Sequence, residues 1–438
     1  MRLKNLKLAG VVVLIAVVLG FLFWKFGLES LNTPKKPTGP ITLTWWSFED
    51  ERVVRQIIQN FEGTYPNIKV NYVLQNSLNY RTRLQTQLRL GKGPDLFWLH
   101  NSWIPMFTPD LQPAPTSVLS VNEFQQTFFP IAKESLVISQ QILAIPNEID
   151  GLVMYVNNDI LKAANVNVPT VWPDFIQAAT TVTVKNQLGQ IQTAGAALGA
   201  TANIDYWSDI LGLLYLQQPK VDLTHPATLE GAEVLKFYTS FVIDPKFKTW
   251  DTTLPSSTQM FSEGRLAFYF APASQAVVIK TANPNLNFSS YQVPQLTSKV
   301  VTWGSFSATG VSNRSQYSKE GWEFVKYLAS EEAEKLFVQG ETQYGPFIKP
   351  YARVELAKTL LSDPIFGTFV KQGPFYKNWY LNFGTNDGGI NDEIIGEYQQ
   401  AVNGVLQGQD PTRALEAIND HIQPILDKYT KPQAVPTQ

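Results

Sequence analysis

Cysteine is absent from the 438 residues of the sequence, and histidine is limited to three scattered positions, His100, His225 and His421. Without a thiol the sequence offers no disulfide, no thiolate metal ligand and no cysteine nucleophile. Scattered histidines do not supply the spacing of a metal-binding motif. We therefore expect neither a metal nor another cofactor. The formal net charge of −2 provides no basic field, so we do not expect a nucleic acid partner.

The glycine motifs of nucleotide-binding and serine-hydrolase folds are missing as well. The pair Gly91 and Gly93 follows a helical pattern and opens a strand, whereas a dinucleotide fingerprint follows a strand and opens a helix. The segment 304–307 (GSFS) lacks the spacing of a nucleophile elbow. The sequence therefore carries neither a dinucleotide fingerprint nor a nucleophile elbow.

The amino terminus carries an apolar run that is long enough to enter a membrane. Arg2, Lys4 and Lys7 precede an apolar stretch at 8–24, which as a helix is about 25 Å long, close to the thickness of a hydrocarbon core. The basic residues favour a cytoplasmic amino terminus and an extracytoplasmic body. No small-x-small site follows the run, so we expect a retained membrane anchor at 1–28, with signal-peptide cleavage as the alternative. A Pro-rich tether at 29–40 follows.

From Ile41 the sequence alternates between strand and helix patterns. Residues 41–47 and 68–74 alternate as strands, and 53–61 and 80–88 carry helical apolar stripes. The third strand begins after Asp95. This order predicts parallel strands with right-handed crossovers, whose following loops meet at the carboxyl edge where open α/β sheets bind ligands.

The segment 91–103 (GKGPDLFWLHNSW) is the most informative part of this region. It brings Trp98, Asn101 and Trp103 to the carboxyl end of the third strand. Two indoles and an amide at that position indicate a wall of a ligand site. The alternative is that Trp98 belongs to a buried strand and only the end of the segment is exposed.

Several segments resemble the extracellular solute-binding proteins of ABC importers (family 1), in particular the group that binds maltose and related sugars. They are 43–50 (LTWWSFED), 91–101 (GKGPDLFWLHN), 144–151 (AIPNEIDG) with 155–159 (YVNND), 260–267 (MFSEGRLA) and 322–328 (WEFVKYL). The resemblance implies an α/β, periplasmic-binding-protein-like fold of type II, with two lobes that are each a mostly parallel sheet flanked by helices. It implies a monomer that holds a di- or oligosaccharide in the interlobe cleft and delivers it to the permease subunits of an ABC transporter.

The resemblance also divides the chain into lobes. Lobe 1 is expected at 41–147 plus 307–345, lobe 2 at 148–306 plus 346–430, and a loose tail at 431–438. The segment 301–311 is expected to cross between the lobes as extended chain, and one helix is expected over 319–338.

Residue by residue, the resemblance implies sugar contacts from Asp50 and Glu51 after the first strand, stacking by Trp98, and a polar contact from Asn101. It places Asp150 near the first crossing and an aromatic of lobe 2 at Tyr206 or Trp207. Trp46 at a strand end and Trp303 beside Gly304 complete the candidate site, although packing is an equally good account of Trp303. The sequence departs from the family at 271–274 (APAS), where a tryptophan is common, and at Ser102, where a basic residue is expected.

Two other classes of function remain open at this stage. Loop acids such as Glu49, Asp50, Glu148 and Asp150 could form the carboxylate pair of a membrane-anchored surface glycosidase, although acids in loops more often cap helices or face solvent. An anchored adhesion or scaffold protein without a small ligand is the third class. The resemblance favours a binding protein that is not an enzyme, anchored to the cell membrane with its binding domain on the extracytoplasmic side.

Overall fold

The computed structural model describes residues 39–296, 299–345 and 350–430. The chain divides into two compact units, Met1–Ile41 and Thr42–Gln438, and nearly all described residues belong to the second. The expected anchor, most of the tether and the tail lie outside the described residues. Among the helices that the structure describes, none has the length and apolar character needed to cross a membrane.

The strands are numbered in chain order. They are β1 Ile41–Ser47, β2 Ile68–Leu74, β3 Leu96–His100, β4 Val137–Ile138, β5 Gln141–Ile142, β6 Ala144–Pro146, β7 Asp150–Asn157, β8 Val184–Lys185, β9 Ile191–Ala196, β10 Leu266–Pro272, β11 Phe288–Tyr291, β12 Thr302–Ser305, β13 Ser307–Val311 and β14 Tyr376–Lys377.

The helices are numbered in the same way. They are α1 Glu51–Thr64, α2 Tyr80–Arg89, α3 Ile104–Phe107, α4 Val121–Thr127, α5 Pro130–Leu136, α6 Asn158–Ala164, α7 Trp172–Val182, α8 Trp207–Gln217, α9 Leu229–Ile243, α10 Ser257–Ser262, α11 Gln275–Ala282, α12 Ser318–Leu328, α13 Glu331–Tyr344, α14 Val354–Ala357, α15 Phe366–Gln372, α16 Ile390–Leu406 and α17 Pro411–Thr430. Short 3₁₀ turns lie at Asn101–Trp103, Thr108–Asp110, Lys358–Leu360 and Gly373–Phe375.

The first lobe is built on a sheet of order β2-β1-β3-β13-β6. β1 runs parallel to β3, with Trp45 opposite Leu96 and Trp46 opposite Phe97, as the alternating pattern predicts. β13 runs antiparallel to both β3 and β6. The reason is topological: β6 leaves this sheet at its carboxyl edge and β13 returns through the same edge, so the two strands must run in opposite directions.

The second lobe is built on a sheet of order β14-β12-β7-β10-β9-β8, with β11 also paired to β7. β7 is antiparallel to β10, β11 and β12, while β9 with β10 and β12 with β14 are parallel pairs. The expectation of mostly parallel sheets is therefore wrong, and both sheets are mixed. Periodicity identifies a strand but carries no information about its direction.

Two adjacent crossings join the sheets, one between β6 and β7 and the other between β12 and β13. The backbone N–H of Asn147 donates to the carbonyl of Ser307 at 2.9 Å, which ties the two crossings together. The Glu148 carboxylate accepts hydrogen bonds from the Ser307 backbone N–H at 3.1 Å and from its hydroxyl at 2.7 Å. Polar backbone groups of the two crossings thus form hydrogen bonds with the neighbouring crossing and are not left unsatisfied.

Gly151, at the start of β7, marks the closest packing beside the crossings. A Cβ at this position would lie 2.3 Å from the Tyr376 ring and 2.6 Å from the Trp303 carbonyl oxygen. We expect Gly151→Ala to lower the free energy of unfolding by about 1–3 kcal/mol or more, because the surrounding backbone cannot yield. Gly396→Ala in α16 is the control, since its Cβ would meet no atom within 4 Å and alanine favours a helix. Chemical denaturation measures both, and equal stability of the two variants would contradict the packing argument.

The expected helix over 319–338 is two helices, α12 and α13. The break falls at Ala329 and Ser330, and the Ser330 side chain accepts a hydrogen bond from the Ala333 backbone N–H, which caps the second helix. Ser330 followed by Glu331 and Glu332 is a typical helix start, so the sequence carried a signal for the break that the expectation of a single helix overlooked.

Candidate functional site

Aromatic rings gather near the carboxyl ends of β1 and β3. Trp98 is half-buried, and its ring meets Phe48 edge-on at 4.8 Å and Trp103 at 5.4 Å between centroids. The Tyr80 hydroxyl donates to the Trp98 carbonyl oxygen at 3.0 Å. Trp46 is also half-buried, while its neighbour Trp45 is in the core. Phe48 and Trp103 thus cover one part of the Trp98 ring, and the remaining part is available to a ligand.

Asp50 and Glu51 start helix α1, directly after β1. The Asp50 carboxylate accepts from the Arg52 backbone N–H at 2.8 Å and from its guanidinium at 2.7 Å. These hydrogen bonds from Arg52 lower the pKa of Asp50 to about 2. The structure thus gives Asp50 a capping role in this conformation, while Glu51 is exposed.

Asn101 lies where β3 meets the crossings, and it is buried. Its side-chain oxygen accepts from the Phe306 backbone N–H at 3.2 Å, and its amide nitrogen donates to the Asn378 side-chain oxygen at 3.3 Å. The Asn378 amide in turn donates to the Gly304 carbonyl at 2.6 Å. Asn101 therefore links lobe 1 to a crossing residue and to the segment after β14.

Asp150 lies half-buried at the start of β7, close to the first crossing as expected. Its carboxylate accepts from the backbone N–H groups of Ala273 at 2.9 Å and Ser274 at 3.1 Å. Burial raises the pKa of Asp150, although these hydrogen bonds act in the opposite direction. Asp150 thus holds the end of β10 beside the crossing.

Tyr206 and Phe383 form a second aromatic group, on lobe 2. Tyr206 precedes helix α8 in the left-handed region, at φ 60°, and its ring lies 5.2 Å from that of Phe383. Burial raises the pKa of Tyr206, and the charges of Asp209 and Asp150 add to the shift because both lie nearby. Phe383 is 39% exposed. Phe383 was not among the site residues predicted from the sequence. Its position in the aromatic-rich segment 379–383 (WYLNF) was the feature that could have indicated it.

Trp207 and Trp303 contribute little surface to a ligand in this structure. They are 4% and 1% exposed, respectively. Trp303 packs so closely on α8 that a Cβ at Gly212 would lie 2.5 Å from its ring. Their proposed ligand contacts stay predictions, and the packing alternative accounts for their observed surroundings.

The structure thus arranges the candidate residues in three places. Trp46 and Trp98 lie on neighbouring strands of the first sheet, but Trp46 pairs with Phe97, so its side chain points to the opposite face from that of Trp98. Trp98 lies with the missed Phe48, and Asp150 and Tyr206 lie near each other on lobe 2. Asn101 lies between them at the crossings. Among the described residues there is no group of three or more acidic or histidine side chains placed to hold a metal.

Two β-sheets with flanking helices are joined by adjacent crossings, and half-exposed aromatic rings lie on each side. This arrangement defines a two-lobed solute-binding fold. The chain belongs to the bacterial extracellular solute-binding protein family, whose model matches residues 56–368. An uncharacterized lipoprotein from Streptomyces antibioticus is 22% identical over 175 residues, which are 38% of this chain and 39% of that protein.

Solved structures of sugar-binding proteins share the fold. A cyclo/maltodextrin-binding protein in complex with maltotetraose superposes with a TM-score of 0.72 at 17% identity, covering 91% of this chain and 100% of that one. The sugar-binding protein MalE from Xanthomonas citri gives 0.72 at 18% identity, covering 88% and 98%. A Thermotoga lettingae ABC transporter solute-binding protein with bound α-D-tagatose gives 0.65 at 20% identity, covering 88% and 100%.

Proposed function

We propose that this protein is the extracytoplasmic solute-binding component of an ABC importer and that it binds a di- or oligosaccharide between its lobes. The observation that carries the proposal is the pairing of half-exposed aromatic groups, Trp98 with Phe48 and Tyr206 with Phe383, on the two sides of the crossings. A sugar presents a face of C–H groups and a rim of hydroxyls, so it binds flat rings and hydrogen-bonding edges.

The acidic residues fit a binding role better than a catalytic one. Asp50 is paired with Arg52, and Asp150 accepts from the backbone N–H groups of Ala273 and Ser274. Glu148 accepts both donors of Ser307. Each acid is thus held by a structural partner, whereas a glycosidase needs one carboxylate facing the sugar and a second on the opposite side of the scissile bond.

The lobes are proposed to comprise 41–147 with 307–345, and 148–306 with 346–430. The sheets fit this division, because β13 joins the first sheet while β12 and β14 join the second. The site is proposed to include Trp46, Trp98, Asn101, Asp150 and Tyr206, with Asp50 and Glu51 at its rim. The permease subunits of an importer are the proposed partners.

The test is a thermal-shift screen of mono-, di- and oligosaccharides that includes maltotetraose, mannotriose and tagatose, with a peptide mixture as the control. A sugar present at 100 times its dissociation constant stabilises the folded state by about 2.7 kcal/mol, which raises the melting temperature. Stabilisation by sugars and not by peptides supports the proposal. A screen without any stabilising sugar, or turnover of a glycan, contradicts it.

Membrane attachment through the anchor segment 1–28, which contains the apolar run at 8–24, is part of the proposal. We expect the native protein extracted from membranes to keep its first residues, because no small-x-small site follows the run. Intact-mass measurement of that protein is the test. A mature amino terminus between Phe26 and Pro40 would show that the run is a cleaved signal peptide.

A further inference from the structure

Asp209 is a buried carboxyl group that the proposed function does not use. It lies in the first turn of α8 and is 5% exposed. Its side-chain oxygen accepts a hydrogen bond from the Phe383 backbone N–H at 3.0 Å, across 174 positions of sequence. A buried polar group of this kind costs stability unless it is fully satisfied, so its presence in the core calls for an explanation.

The partner of Asp209 is the backbone of an aromatic residue at the surface. Phe383 is 39% exposed and stands against the Tyr206 ring at 5.2 Å. Tyr206 immediately precedes α8, the helix that carries Asp209. One carboxyl group on α8 therefore fixes Phe383 against the aromatic residue at the start of the same helix.

Phe383 lies between a fixed residue and a tight turn. Gly384 follows at φ 73° and Asn386 at φ 46°, so a tight turn begins directly after Phe383. The preceding residue, Asn382, is held separately, by its amide hydrogen bonds to the Trp379 carbonyl at 2.7 Å and to the Asn391 side chain at 3.0 Å. Asp209 is the contact that fixes the backbone of Phe383 itself.

We propose that Asp209 is a positioning residue that holds Phe383 against Tyr206 and so builds the sugar-stacking platform of lobe 2. The inference rests on the proposed function. In it Phe383 contacts the sugar, and Asp209 acts only by holding Phe383 in place. The planes of the two rings are inclined by 59°, so each ring offers its own surface to a sugar, and the pair keeps this arrangement only while Phe383 is held in place. Loss of the hydrogen bond would let Phe383 move away from Tyr206 and would weaken stacking.

Burial also indicates which form of the carboxyl group does this. It raises the pKa of Asp209 to about 8, although the Phe383 backbone N–H and the Trp303 indole oppose the shift. At neutral pH the group is therefore mostly the uncharged acid. An asparagine has the same shape and keeps the accepting oxygen, so Asp209→Asn is the conservative variant that restores the function.

The test compares Asp209→Ala, Phe383→Ala, the double variant and Asp209→Asn by calorimetric titration with maltotetraose, mannotriose and tagatose. For a sugar that binds wild-type protein, we expect each single alanine variant to weaken binding about 10-fold. The double variant should bind about as well as Phe383→Ala alone, because Asp209 acts through Phe383. Asp209→Asn should bind within about 3-fold of wild type, a factor worth roughly 0.65 kcal/mol.

A control separates positioning from general loss of stability. Tyr238→Phe also removes one buried side-chain hydrogen bond from lobe 2, the one from its hydroxyl to the Ala200 carbonyl at 2.8 Å. It should lower the melting temperature and leave the dissociation constant unchanged. If Asp209→Ala behaves like this control, or if the effects of Asp209→Ala and Phe383→Ala simply add, the positioning role is wrong.

Amide hydrogen exchange gives a readout that needs no sugar. The Phe383 amide should be protected in wild type and in Asp209→Asn and should exchange faster in Asp209→Ala. Equal protection in all three would overturn the inference while leaving the proposed function intact. Wild-type protein that binds none of the sugars would overturn the proposed function, and with it the role of the platform.

Discussion

Trp98→Ala is expected to weaken sugar binding by about 10- to 100-fold, or roughly 1–3 kcal/mol, while the protein stays folded. Trp98 is half-buried and rests edge-on against Phe48 and Trp103, so one part of its ring is supported and another part is open. The variant removes the surface against which the C–H face of a sugar would stack. Calorimetric titration beside a melting curve measures both effects.

Trp45→Leu is the matched control for this variant. Trp45 is adjacent to Trp46 on the same strand, but it is buried and packs edge-on against Tyr72 at 5.0 Å and Phe324 at 5.3 Å. We expect this change to lower stability and to leave the dissociation constant unchanged, since the core has no contact with the ligand. If Trp98→Ala lowers only the melting temperature, as the control does, Trp98 belongs to the core.

Asp209→Asn is expected to remove part of the dependence of stability on pH. The pKa of Asp209 is about 8 in the folded protein and 3.8 in the unfolded chain. Between these values the folded state holds a proton that the unfolded state has lost. The contribution of protonated Asp209 to the free energy of unfolding is therefore complete below about pH 4, and it is lost as the pH rises through about 8.

The effect is on the order of several kcal/mol, since each pH unit in this window corresponds to about 1.4 kcal/mol. Tyr206 is the titratable neighbour whose own pKa the Asp209 charge raises, and it stays protonated throughout the window. Urea denaturation at pH 4, 6 and 8 should show wild type losing more stability than Asp209→Asn. Parallel profiles for the two proteins would show that Asp209 does not titrate in this way.

The sequence was sufficient where the structure depends on local patterns. The alternation of 41–47 and 68–74 and the helical stripe at 53–61 correspond to observed elements. Each of these signals comes from backbone chemistry within a few residues.

What the sequence did not reveal depends on contacts between distant segments. The direction of β13 follows from the path of the chain through the second lobe, and the burial of Trp303 follows from the absence of a side chain at Gly212. Phe383 was missed because its contacts with lobe 2, the backbone hydrogen bond to Asp209 and the ring contact with Tyr206, are made by residues far away in sequence. A single sequence without pairing information contains no local signal for such contacts.

Closure around a sugar is the central claim, and small-angle X-ray scattering tests it most directly. Two lobes joined by adjacent crossings should close by hinge motion with little change inside either lobe. The protein is measured alone and with a saturating concentration of the sugar that gives the largest thermal shift. We predict a smaller radius of gyration with the sugar, reversed on its removal. An unchanged scattering profile at saturation would contradict the claim.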